Sequence, residues 1–387
     1  ELLLADYKEG DKKVPFKVLA EFTGKELEGI SYEQLIPWIT PEGDAFRIIT
    51  GDFVTTEDGT GVVHIAPTFG ADDDRVAKQA GISPLILRNK LQEPEPMVDR
   101  QGKFYKIEDL DEQFVKQYVN LNAYPEFAGR FVKNEYDPKW DGKSEINTDI
   151  DISVMLKKEN KAFRIEKHVH NYPHCWRTDK PILYYPLDSW FIKTTAVKDR
   201  LIELNKTINW KPQSTGEGRF GKWLENLVDW NLSRSRYWGT PLPIWVTADK
   251  TEKKCIGSVA ELYTEIEKSV SAGIMKENPY KGFVVGDYTK ENYEKIDLHR
   301  PYVDNIILVS NNGQPMQRET DLIDVWFDSG AMPYAQWHYP FENKEMFDTL
   351  FPADFIAEGV DQTRGWFFTL HAVATMISDN VAYKNII

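Results

Sequence analysis

The stretch Asp354-Phe355-Ile356-Ala357-Glu358-Gly359-Val360-Asp361-Gln362-Thr363-Arg364-Gly365-Trp366-Phe367-Phe368 decides the fold. Its opening four residues, Asp354 and the apolar Phe355-Ile356-Ala357, are of strand type. Glu358 to Gln362 are mostly polar and glycine-bearing, and Thr363 through Ile377 carries helical spacing. Strand, loop and helix in that order make half of a parallel α/β unit. Such sheets bind ligands in the loops beyond the carboxyl ends of their strands. Glu358, Asp361 and Gln362 are acceptors for ammonium and hydroxyl donors in that loop. The plainer reading is a turn acid beside a core tryptophan, but three polar side chains bunched before Gly365-Trp366 favour a site.

Toward the N-terminus, Ile306-Ile307-Leu308-Val309 and Ile323-Asp324-Val325-Trp326-Phe327 read as buried strands, the second running into Asp328-Ser329-Gly330. Trp326 and Trp366, each at an element end, suit the walls of an apolar pocket. Ser258-Val259-Ala260-Glu261 has capping-box spacing and predicts a helix through Lys268. Further helices are expected at 196–205 and at 220–230, where Phe220, Trp223, Leu224, Leu227 and Val228 recur at helical intervals. Between these lies Asp229-Trp230-Asn231-Leu232-Ser233-Arg234-Ser235-Arg236-Tyr237-Trp238-Gly239. Arg234 and Arg236 interleaved with aromatics suit phosphate contact and base stacking, or equally a solvated basic turn on a Trp-rich core.

From 157 to 180 seven basic residues face three acidic ones, and His168, His170 and His174 lie beside Cys175. Structural zinc takes four ligands, usually as paired Cys or His groups. With one cysteine here and Cys255 isolated, a hinge between domains is expected rather than a metal site. Residues 1–50 suggest a β-rich start with turns at 7–11 and 40–44. Strands are expected at Phe46–Ile49 and Gly61–Ala66, with an Asp58-Gly59 turn between them. A helix over 72–81 follows, acidic at its first turn and closed by Gly81. His64 and Asp73 then either converge on one cleft or serve as a strand histidine and a capping acid. Residues 82–103 hold three prolines and read as a loop. Ile107, Leu110, Phe114 and Tyr118 mark one helical face within 107–122.

The 387 residues amount to two or three domains at roughly 150 residues each. Composition is 41% hydrophobic and 28% charged, ordinary for a globular protein, with 12 Trp, 18 Tyr and 20 Phe to fill cores. No apolar run approaches the ~18 residues of a membrane span. Two cysteines exclude a disulfide scaffold and fit a reducing cytoplasm. The net charge of −14 argues against a protein that coats nucleic acid indiscriminately, though not against a local basic groove. The chain opens at Glu1 and closes at Ile387, which reads as an internal piece of a longer protein.

Taken together, the strings at 59–74, 168–177, 229–245, 324–330 and 358–368 resemble the isoleucyl-tRNA synthetases, a family of class I aminoacyl-tRNA synthetases. The resemblance covers nearly the whole chain from about residue 50, and the order of the five strings makes it specific. Valyl and leucyl synthetases share the architecture, and the 359–367 string is closer to the isoleucine enzymes. The resemblance implies an α/β fold: a β-rich editing insertion, a connective region, and part of a parallel Rossmann-type catalytic core. The corresponding divisions are 1–165, 166–303 and 304–387. It implies an editing site with Asp73 holding the substrate α-ammonium and His64 in the same pocket, while Asp72 and Asp74 cap the helix. It also implies a synthetic site with Trp326 and Trp366 beside the isoleucine side chain, and Glu358, Gly359, Asp361 and Gln362 on the aminoacyl-adenylate. Arg234 and Arg236 would face tRNA.

ATP and Mg²⁺ are then substrates of the parent ligase. Isoleucine, valine and tRNA(Ile) are its other ligands, a cytoplasmic monomer is expected, and zinc is not. The threonine-rich editing strip and the HIGH and KMSKS motifs of the family have no counterpart in these 387 residues. A piece of this kind is expected not to aminoacylate. A valyl-tRNA synthetase piece and a free-standing tRNA-binding or editing module are the alternatives.

Overall fold

A computed structural model describes residues 8–9, 12–56, 60–143, 147–167 and 169–387. Part of the expected 7–11 turn, the Asp58-Gly59 turn and His168 fall outside the described residues. The chain divides into two compact units, Glu1–Leu187 and Asp188–Ile387. The expected division at 165/166 falls inside the first unit.

The first unit is built on aromatic side chains more than on long strands. Trp38 packs its indole on Phe127 at 4.3 Å and edge-on to Phe104 at 5.4 Å. Leu87, Leu110, Phe114 and the fully buried Tyr124 complete this core. Tyr124 keeps its hydroxyl satisfied by donating to the Tyr105 carbonyl at 2.7 Å. The expected 107–122 helix is a 3₁₀ turn at Ile107–Asp109 followed by Glu112–Tyr118, because Asp111 starts a new N-cap by accepting from the Phe114 N–H at 2.8 Å. The expected 82–103 loop contains a small hairpin, Leu87–Arg88 against Pro94–Glu95, where proline sits on a two-residue edge strand.

Two expected strands do not form as ladders. Phe46–Ile49 makes a single antiparallel bridge, Ser31 to Arg47, and Phe46 itself has φ 56°. Gly61–Ala66 is joined to no strand among the described residues, and Val62 and Val63 are exposed. For Phe46–Ile49 backbone partners are present, with Gly29 N–H on the Ile48 carbonyl, Ile48 N–H on the Ile30 carbonyl and Tyr32 N–H on the Phe46 carbonyl. The left-handed Phe46 ends that pairing, whereas Gly61–Ala66 has no strand partner among the described residues. Ala71–Ala80 is a helix, ended by Gly81 in the left-handed region at φ 69°.

The second unit has two principal cores. One surrounds a three-stranded sheet in the order Ala353–Ile356, Tyr383–Ile386, Asn209–Trp210, with both pairings parallel. The helix Trp366–Ser378 crosses over between the first two strands, so the strand–loop–helix reading holds and the α/β class with it. Leu201, Leu204, Phe220, Leu224, Phe367, Leu370, Tyr383 and Ile386 fill the space around it. The helix expected over 220–230 stops at Glu225, and Trp230–Asn231 is a strand that pairs with Phe191–Ile192. Gly216 is required here, since a Cβ on it would lie 2.3 Å from the Trp210 ring.

The other core is antiparallel. Strands Lys253–Cys255, Ile244–Thr247, Pro315–Arg318 and Leu308–Val309 lie side by side in that order. The helix Val259–Ser271 contributes Leu262 and Ile266 to the core beneath. Ser258 caps that helix, accepting from the Glu261 N–H at 3.1 Å, while the Glu261 carboxylate reaches Gly257 N at 2.7 Å. The expected division at 303/304 falls within this core, which takes residues from both sides of it. No helix among the described residues is long and apolar enough to cross a membrane.

His371, fully buried in the crossover helix, donates through Nε2 to the Leu201 carbonyl at 2.9 Å, and burial pulls its pKa down to about 4. A folded pKa below the unfolded one means that the unfolded state takes up the proton first. The contribution of neutral His371 to stability is therefore complete above about pH 6.5 and is lost as pH falls toward 4. Comparing His371→Leu with the parent chain by urea denaturation should show the parent losing about 3 kcal/mol more over that window. Parallel pH profiles would exclude His371 as the source.

Candidate active site

The strand expected over Ile323–Phe327 is only Leu322–Ile323, and at Asp324 the chain turns into the helix Val325–Gly330. Asp324 is an N-cap, its Oδ1 accepting from the Trp326 N–H at 3.3 Å. Trp326 stands at the start of this helix, 40% exposed. Its ring edge lies against Gly365, where a Cβ would be 3.1 Å from Trp326 Cη2 and 2.7 Å from Gln362 Oε1. Trp366 opens the crossover helix. Its N–H donates to Gln362 Oε1 and its indole Nε1 to the Ser329 carbonyl, both at 3.0 Å. The two tryptophans thus belong to helices that touch, and Gly330 permits the contact: a Cβ there would lie 2.9 Å from the Thr369 carbonyl oxygen.

The polar loop stands at the carboxyl end of the strand Ala353–Ile356. Glu358 donates its N–H to the Ile387 carbonyl at 3.2 Å and leaves its side chain exposed. Asp361 accepts from Gln362 Nε2 at 3.0 Å, and its Oδ1 occupies the space where a Gly359 Cβ would sit, 2.5 Å away. The structure therefore brings Trp326, Gly359, Asp361, Gln362 and Trp366 into one contact set, with Glu358 exposed at its edge. Protein atoms crowd the nearby Asp328 carboxyl and push its pKa up, opposed by a hydrogen bond from Thr240. The sequence reading did not single out Asp324, Ser329 or Gly330. An aspartate preceding an apolar helix start was an available signal for the first, whereas the two backbone contacts exist only after the helices pack.

Arg234 and Arg236 are placed differently. Arg234 is engaged within the protein, with Nη2 on Asp324 Oδ2 at 2.8 Å and Nη1 on the carbonyls of Asn231 and Ser233 at 3.0 and 2.8 Å. Arg236 is exposed beside Tyr237, which is 94% exposed, and Trp238, whose ring stacks on His299 at 4.4 Å.

In the first unit, Asp73 Oδ2 accepts from the Ala66 N–H at 2.8 Å, and the Ala66 carbonyl in turn accepts from Phe69 and Gly70. Asp73 therefore ties the 66–70 loop to the start of its helix. Asp72 and Asp74 make ion pairs with Arg75 and Lys78 rather than capping bonds. His64 is exposed on the run leading into this loop. A polar cleft of about 630 Å³, lined by Lys103, Arg130, Trp140 and Asn147 among others, includes neither His64 nor Asp73.

The segment expected as a hinge is a hairpin closed on itself, with Cys175 N–H on the Lys180 carbonyl at 2.8 Å and Ile182 N–H on the Pro173 carbonyl at 3.1 Å. Hydrogen bonds from the Thr178 side chain and from the Arg177 and Thr178 N–H groups lower the Cys175 pKa. Among the described residues no group of three or more His, Cys, Asp or Glu side chains is placed to hold a metal ion.

Residues 7–387 match the family model of class I tRNA synthetases (I, L, M and V), and the chain belongs to that family. It is 71% identical over 391 residues to the isoleucine–tRNA ligase of Bacteroides fragilis, with 100% of this chain and 34% of the relative covered. The isoleucine–tRNA ligase of Porphyromonas gingivalis is 65% identical over 391 residues, again covering 100% of this chain and 34% of the relative. That of Clostridium tetani is 43% identical over 373 residues, covering 96% and 30%. The chain thus spans about a third of the length of the curated relatives it matches. Among solved structures, a ternary LeuRS–tRNA–LeuAMS complex from Agrobacterium radiobacter aligns at TM-score 0.27 and 14% identity, covering 45% of this chain and 22% of that one.

Substituting Gly330→Ala should push the helix Val325–Gly330 off the crossover helix and cost about 1–3 kcal/mol. A lowered urea midpoint at unchanged slope is the expected result. An unchanged midpoint would mean the helices separate freely at this contact.

Proposed function

We propose that this chain supplies part of the amino-acid activation site and part of the editing site of an isoleucine–tRNA ligase. The observation that carries the reading is the contact set formed by Trp326, Trp366, Gly359, Asp361 and Gln362 beyond the carboxyl end of a parallel strand. In this reading the two indoles are the walls of an apolar slot for a branched aliphatic side chain. Glu358 and Asp361 offer carboxylate oxygens to the α-ammonium, and the Gly359 backbone admits close approach of the aminoacyl-adenylate. The parent ligase would draw on ATP with its Mg²⁺ to form that adenylate, then esterify tRNA(Ile), in the cytoplasm where protein synthesis runs. Arg236, exposed among aromatics, is the better placed of the two arginines for tRNA phosphate.

An apolar slot of this kind separates isoleucine from valine only weakly. This is the pair for which the limit is best known, about 150-fold, since one methylene is worth ~1–3 kcal/mol. Hydrolysis of Val-tRNA is the complementary task. Water adds to the ester carbonyl carbon, the ribose oxygen leaves with a proton, and valine is released. Asp73 takes the Ala66 N–H on Oδ2 and in this reading receives the valyl ammonium on its other oxygen, and His64 lies on the run entering the same loop.

In the full-length ligase, Asp73→Ala should abolish Val-tRNA deacylation and leave isoleucine-dependent pyrophosphate exchange intact. Equal loss of both would remove Asp73 from editing. Glu358→Ala should cut the exchange rate by about 10²-fold while sparing deacylation of added Val-tRNA. Unchanged exchange would take Glu358 out of the adenylate site.

A further inference from the structure

Arg234 carries the charge expected of a nucleic-acid contact, yet its side chain, 37% exposed, is engaged by acceptors of the protein itself. Its acceptors are the Asp324 carboxylate and the Asn231 and Ser233 carbonyls. Its backbone is fixed as well, because Ser233–Arg234 pairs antiparallel with Leu322–Ile323 and places Arg234 opposite Leu322, two residues before Asp324. Asp324 is buried, and its two oxygens have separate duties. Oδ2 receives Arg234 at 2.8 Å and Trp230 Nε1 at 3.0 Å, while Oδ1 receives the Trp326 N–H. The donors on Oδ2 therefore set the rotation of the carboxylate and direct Oδ1 at the helix start. Without the guanidinium, a buried carboxylate would lose its counter-charge and be free to turn toward water. Trp326 is the second residue of the helix so capped, and its ring edge rests on Gly365 beside Trp366.

We infer that Arg234, acting through Asp324, is a positioning residue that sets Trp326 for recognition of the amino-acid side chain. The inference rests on the reading of Trp326 as a wall of the isoleucine slot. Arg234 touches no substrate in this scheme. Its effect belongs to amino-acid affinity, because the displaced group is an apolar wall rather than a reacting one. Arg234→Lys keeps the positive charge near Asp324 but lacks the planar fork that holds Asp324 through Nη2 and the two carbonyls through Nη1, so it should restore part of the function.

The test uses the full-length ligase with Arg234→Ala, Arg234→Lys, Trp326→Ala and the Arg234→Ala/Trp326→Ala double variant. Arg234→Ala should raise KM for isoleucine in pyrophosphate exchange about tenfold, with KM for ATP and for tRNA within about twofold. Arg234→Lys should fall between it and the parent. In the Trp326→Ala background, Arg234→Ala should add nothing, as expected for residues that act as one unit. A raised KM for tRNA with isoleucine KM unchanged would overturn the inference in favour of a nucleic-acid contact. Additive effects in the double variant, or uniform loss in all parameters, would overturn it as well. Hydrogen exchange separates this inference from the reading beneath it. Amides of 322–330 should exchange faster in Arg234→Ala even if Trp326→Ala leaves isoleucine KM unchanged, the result that would refute the slot itself. Unchanged exchange would show that the pair does not hold this helix start.

Discussion

The crossover helix Trp366–Ser378 is buried from Phe367 to Thr375, and the candidate synthetic site is referred to it. A helix buried all round must find partners on every side, and here each side is a different element. His371 bonds the helix Lys198–Asn205, and Phe367 accepts from the Tyr383 hydroxyl of the neighbouring strand. Gly330 and Thr369 bring the Trp326 helix into backbone contact. Moving this helix would therefore disturb the parallel sheet and the tryptophan pair together.

Polar groups in the interior are satisfied in ways that also set geometry. Asn205 accepts from Trp210 Nε1 at 2.9 Å and donates to the Gly216 carbonyl at 3.0 Å, which holds a π-helical turn against the sheet. In the antiparallel core, Glu265 takes Lys254 at 2.5 Å and Lys268 at 2.6 Å, so a buried carboxylate has two counter-charges. Asp324 follows the same rule with Arg234 and Trp230. The first two join neighbouring elements, whereas Asp324 joins segments about 90 residues apart.

Much of the candidate site was legible before the fold. The bunching of Glu358, Asp361 and Gln362 between a strand and a helix located it, and the resemblance carried by five ordered strings named its chemistry. The strand expected over 323–327 and the two open roles for Arg234 have physical reasons. A run of five with four apolar residues around Asp324 fits a strand and a helix start equally well, and the N-cap bond at Asp324 decides between them. An arginine between aromatics gives no sign in sequence of its carboxylate partner, 90 residues away, which only the fold brings beside it.

The local sequence by itself determined what depends on neighbours a few residues apart. These features are the capped helix after Ser258, the helix ended by Gly81, the turn-rich loop after the strand at 353–356, and the class of residues gathered in that loop. Tertiary structure alone decided which strand completes the parallel sheet, since Asn209–Trp210 meets Tyr383–Ile386 across more than 170 residues of chain. It alone brought the Asp324 carboxylate to Arg234. Local propensity is written in spacing and side-chain type, but the partner of a strand edge or a buried charge is chosen by what the folded chain brings within reach.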